Sequence, residues 1–240
     1  ALSLPMFADD KGESEEKTVT EGHSFHGEAF NEGPRQRAYL MKGMGRVRFP
    51  VTTDSQEAQL FFTQGIAQLH GFWYFEAERS FRQAAMLDPD CAMAWWGIAM
   101  SSGPFMNLPW DWMNPDEKAA MLAACHAAVG RAQELAGTAP PPARALILAL
   151  AIRFPQAEVP DDEIMASWER AYADEMAAVY AEFGDDPDIA TLFVDSQIML
   201  TPWQVYDVDA RAPNPAATRA TRFRRARRAR RAGAGLPGTL

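Results

Sequence analysis

His23 and His26 stand three residues apart, a spacing that can bring two imidazoles onto one metal ion. Glu28 or His70 would then supply a third ligand. The simpler reading is a solvated or locally hydrogen-bonded pair, with His70 a structural histidine. Gly27-Glu-Ala-Phe-Asn-Glu-Gly-Pro-Arg35 adds Glu28, Glu32 and Arg35, groups able to clamp a ligand carboxylate. Packing is the simpler reading here too: Phe30 and Tyr39 would hold this segment on the first helix pair. Cys91 is expected in a helical first turn, where the dipole can lower a thiol pKa, although a buried, inert thiol fits better. Cys125 lies among alanines and reads as core. A bridge between the two cysteines stays open, because spacing alone gives no geometry.

Aromatic residues form two further groups. His70-Gly-Phe-Trp-Tyr-Phe75 cannot turn all its rings into one core, so Trp73 and Tyr74 are candidate partner-binding residues. Met106, Trp110 and Trp112 lie in a loop at 103–115, and such loops often carry binding groups. No G-x-S-x-G, H-E-x-x-H, Walker or dinucleotide motif occurs. Their absence removes the common enzyme classes without excluding an enzyme; the expectation is no enzyme and no cofactor.

Helices must position these groups. The chain has 240 residues, 48% hydrophobic and 23% charged, with few β-branched runs. Residues 1–8 end in a small residue before Asp9-Asp10-Lys11 and match the tail of a signal peptide. The expected location is therefore periplasmic or secreted, and otherwise cytoplasmic. Residues 9–52 read as an irregular lead-in, with only Arg35–Lys42 able to form a short helix. From Thr53 the pattern turns helical. Thr53 or Asp54 is the expected N-cap, with Glu57 completing a capping box. Gly71 marks a turn, and a second helix over Tyr74–Leu87 stops at Asp88-Pro89. Further helices are expected at 90–101, 115–136, 141–153, 161–183 and 187–200, with Asn114 and Pro115 opening the fourth. The last has an apolar face of Ile189, Leu192, Phe193, Ile198 and Leu200, which calls for a partner helix.

Residues 206–240 read as a basic, low-complexity tail. Nine of the 23 Lys+Arg fall after residue 210, with no acid among them, which leaves 14 basic against 32 acidic residues in 1–210. An acidic body disfavours nucleic acid as a partner of the native fold. The Arg-Ala string admits three readings: a basic arm, a solvated tail, or a shifted GC-rich frame. The last is preferred, because a helical array needs a polar capping helix that this string does not supply. No apolar run reaches the roughly 18–20 residues of a membrane span.

Phe61, Gly65, Ala77, Phe81, Ala84 and Pro89 fall at the spacing of a 34-residue helix–turn–helix repeat, with Gln68 in the slot of a tyrosine. One period on stand Trp95, Ile98 and Ala99. Small residues let paired helices approach, and large rings fill between pairs. Over residues 58–102 the chain resembles the tetratricopeptide (TPR) family. It is also similar to bacterial exported TPR proteins carrying Asp-Pro-Asp-Cys-Ala-Met-Ala-Trp-Trp-Gly, here 88–97. The resemblance implies an all-α array of antiparallel helix pairs over 53–205. Prolines at 89, 140 and 187 are spaced more widely than 34, so the array is irregular after its first unit and a half. It further implies a non-catalytic scaffold for a protein or peptide ligand. The alternative is a metal-binding protein using His23, His26 and His70.

Overall fold

The computed structural model describes residues 37–215 and Thr218. His23, His26, Glu28, Phe30, the leader-like segment and the Arg-Ala string lie outside the described residues. Within them the chain is built from seven α-helices: α1 Gln56–His70, α2 Tyr74–Leu87, α3 Ala92–Ser102, α4 Pro115–Leu135, α5 Pro141–Arg153, α6 Asp162–Phe183 and α7 Pro187–Ile198. Each helix packs on the next in sequence, and α3 also touches α1 and α5. A small antiparallel hairpin, β1 Tyr206–Asp207 and β2 Ala212–Pro213, follows α7. This hairpin stands where a partner helix for α7 was expected. The apolar face of α7 is covered from within the array instead, with Phe193 stacked on Tyr180 of α6 at 4.6 Å between ring centres.

Several helix ends follow from local chemistry. Ser55, not Thr53 or Asp54, is the N-cap of α1, and its hydroxyl accepts from the Ala58 N–H at 3.1 Å. Thr53 Oγ1 is bonded to Asp88 instead. Asn114 caps α4 and forms a reciprocal capping box with Glu117. At the α1–α2 turn the left-handed backbone falls on Phe72 (φ 59°) and not on Gly71. A phenylalanine in that region carries strain.

Residues 37–50 are not helical, so the short helix expected within Arg35–Lys42 is corrected for its described part. Glutamines of α1 take the backbone groups that a helix would use. Gln64 accepts from Met41 N–H at 2.7 Å and donates to Tyr39 C=O at 3.0 Å. Gln59 accepts from Val51 N–H and donates to Phe49 C=O, both at 2.9 Å. Ala38 and Phe49 anchor the segment, while the Tyr39 side chain points to solvent, 63% exposed, and does not pack on the helix pair. The Gln68 side-chain oxygen accepts from the Ser80 hydroxyl of α2 at 2.7 Å. Gln68 is thus a buried polar link between α1 and α2.

The repeat-spaced residues meet at α1, α2 and α3. Phe61, Ala77, Phe81, Ala84, Ile98 and Ala99 are all buried. A methyl on Gly65 would stand 2.6 Å from the Phe81 ring, and one on Gly97 closer still, so the ring is clamped between two glycine-bearing helices. Phe62 leans on the same ring at 5.3 Å. Trp95 is only partly buried and donates its indole N–H to Pro89 C=O at 2.9 Å, whereas Trp96 is buried. Trp95 thus packs on the core from its edge, and the fully buried indole of α3 is Trp96. Cys91 and Cys125 are free and buried, so no disulfide joins them. Burial pushes both thiols up, and at Cys91 it outweighs the helix-start amides.

Candidate functional site

Arg153 ends α5 with its guanidinium buried. Its Nε–H lies 2.9 and 3.0 Å from the two carboxylate oxygens of Glu169 on α6. Its Nη2 donates to Pro104 C=O at 2.9 Å, which ties down the start of the 103–113 loop. The rings of Tyr172 and Phe154 lie 5.2 and 5.4 Å from the guanidinium carbon. The Arg153 charge is therefore held by an acid, a carbonyl and two π faces. Burial opposes its charge, yet the carboxylate prevails and its pKa moves up.

The loop above is folded by its own residues. Phe105 and Leu108 pair as an isolated bridge, and Trp110–Trp112 form a single 3-10 turn. Trp110 donates its indole N–H to Glu169 Oε1 at 3.2 Å. Between this loop and α6 lies an open cavity of about 260 Å³. Asp162, Met165, Ala166, Glu169 and Arg170 line it from α6, positions that share one face of a helix. Pro104, Pro109, Trp110 and the exposed Asp111 form the loop wall, and Met199, Leu200 and Pro202 close the far side. Lys118 of α4 bonds Asp162 at 2.8 Å beside it. Arg170 is exposed at the rim.

Of the five aromatic and sulfur residues expected to meet a partner, Trp110 alone lines this cavity. Met106 is partly buried, with its sulfur 3.3 Å from the Trp203 amide nitrogen. Trp112 is 60% exposed and stands outside the cavity lining. Trp73 is half exposed at the α1–α2 turn, away from this loop in sequence. Tyr74 is a correction: it is buried, with its ring stacked on Phe105 at 3.8 Å. Burial and the nearby Asp195 carboxylate push its hydroxyl pKa well up. No family model matches the chain, and neither does a curated protein or a solved structure.

His70 Nε2 lies 3.0 Å from Asp188 Oδ1 on α7, which joins the end of the first helix to the start of the last. Among the described residues no group of three or more His, Cys, Asp or Glu is placed to hold a metal ion. Among them, too, no helix is long and apolar enough to cross a membrane.

The sequence reading missed Arg153, Glu169 and Asp195. A signal for the α6 stripe was present in the spacing of Asp162, Met165, Ala166, Glu169 and Arg170. The partners of Glu169 gave no signal, because Arg153 and Trp110 are 16 and 59 residues away.

Proposed function

We propose that this chain is a non-catalytic helical scaffold that binds a protein or peptide segment in the groove between the 103–113 loop and α6. The observation that carries this reading is a largely apolar cavity whose one buried acid, Glu169, is already neutralised. Glu169 is engaged by Arg153 and Trp110, which leaves it poorly placed to take a proton from a substrate. The walls offer shape and apolar area, as a side chain of a partner needs. Arg170 shares the lining with Asp111 and Asp162, so the partner is held by its apolar anchor rather than by its charge. In this reading the helices follow a TPR-like pairing and the protein is exported, which the signal-like composition of residues 1–8 supports.

Selection of a displayed random-peptide library on the full chain tests the proposal. Enriched peptides should share an apolar or aromatic anchor. Ala166→Phe, which fills the cavity from α6, should weaken their binding by about tenfold or more. Arg170→Glu should weaken it less. Peptides that bind Ala166→Phe as well as the parent, or a selection that enriches nothing, would contradict the proposal.

A further inference from the structure

A second cavity, of about 150 Å³, lies where α7 crosses the ends of α1 and α3 and the start of α2. We propose that it is a binding site for a primary alkylammonium group, received by the Asp195 carboxylate. The inference is independent of the groove at α6.

Leu69, Met100, Leu192 and Ile198 make the walls apolar, as a short aliphatic chain requires. Asp195 lines the cavity, and no described residue donates a hydrogen bond to its carboxylate. The nearby donor groups are engaged elsewhere: the His70 ring by Asp188, and Arg153 by Glu169 and Pro104. A carboxylate set against apolar walls without a donor is unfavourable, and a cation with several N–H groups removes that cost. Phe72 and Tyr74 add aromatic rings, 6.2 Å apart and nearly perpendicular, to the same lining. Such rings attract ammonium groups. The strained φ of Phe72 lies at this rim, where strain is often retained for function. Burial holds the Asp195 carboxyl above its ordinary range, with Arg153 and His70 opposing that shift. The net charge of −9 enriches cations around the chain.

Ligand-detected NMR titrations of the full chain with n-pentylamine and with 1-pentanol provide the test. The amine should bind with a Kd on the order of millimolar, as its few heavy atoms allow. Pentanol and the Asp195→Asn variant should each lose about tenfold or more in affinity. A lysine-containing tripeptide and its norleucine counterpart separate a free amine from a peptide side chain. Preference for the lysine form over norleucine, with or without binding of the free amine, supports the ammonium site. Phe72→Asn keeps a residue tolerant of the left-handed region and should also weaken the amine. Ala166→Phe should leave amine binding unchanged, so the two cavities fail or succeed separately. The inference is overturned if amine and pentanol bind alike, if neither amine nor peptide binds, or if binding survives Asp195→Asn. Should that variant not fold, unchanged binding in Phe72→Asn overturns it.

Discussion

Phe81 shows how single residues hold the array. Its ring touches the backbone side of Gly65 and Gly97, and neither position has room for a methyl. Gly97→Ala gains about 1 kcal/mol of helix propensity. It also forces a buried ring aside, at a cost of roughly 1–3 kcal/mol. The expected result is a net loss of about 1 kcal/mol in urea unfolding, reduced when Phe81→Leu is present. A gain in stability would show that the clamp is loose. Asp195 allows a second test at this scale. Its folded pKa is raised above the ordinary 3.8, chiefly by burial, and the groups facing it are Arg153, His70, Glu169, Tyr74 and Tyr172. The folded state therefore holds a proton that the unfolded chain has released. Stability from this group is fully present below the unfolded pKa and is lost as pH rises through the folded pKa. Asp195→Asn should raise Tm relative to the parent near about pH 8, and the gain should vanish near about pH 3. A gain independent of pH would contradict the assignment.

The helices themselves were legible because their punctuation is local. Proline and glycine at Pro89, Gly103, Pro115, Pro141, Gly184 and Pro187 stand within a residue or two of the observed ends. The cap of α4 was readable as Asn114 before Pro115, and the structure adds Glu117 as its reciprocal partner. Asn114→Ala should cost about 1 kcal/mol in thermal or chemical unfolding. The cap of α1 was misread because three adjacent residues, Thr53, Asp54 and Ser55, are all competent. Only the tertiary bond from Thr53 to Asp88 shows which role Thr53 takes. The lead-in was legible as irregular, but its docking was hidden, since Gln64 and Gln59 reach its backbone from a separate element.

At the scale of the molecule, a shared apolar core joins the helices and long-range polar contacts tie particular elements together. Arg153 and Glu169 join α5, α6 and the 103–113 loop. His70 and Asp188 bring together elements 118 residues apart. A helical repeat pattern says which faces are apolar, not which charged residues will meet across three elements. Tyr74 illustrates this limit: among four aromatics at a turn, only the fold selects the one that stacks on Phe105. Glu169→Gln leaves a buried guanidinium without its counter-charge and should cost about 3 kcal/mol in chemical unfolding. A loss below about 1 kcal/mol would mean that water reaches the pair.

Trp110 reports directly on the proposed groove, because its indole N–H rests on Glu169 at the cavity. The decisive measurement is the ¹H–¹⁵N spectrum of the seven tryptophan indoles, with Trp110 assigned through Trp110→Phe, during titration with a library-selected peptide. The scaffold account predicts a saturating shift at Trp110 that Ala166→Phe abolishes. A peptide that binds while the Trp110 signal stays in place would contradict it.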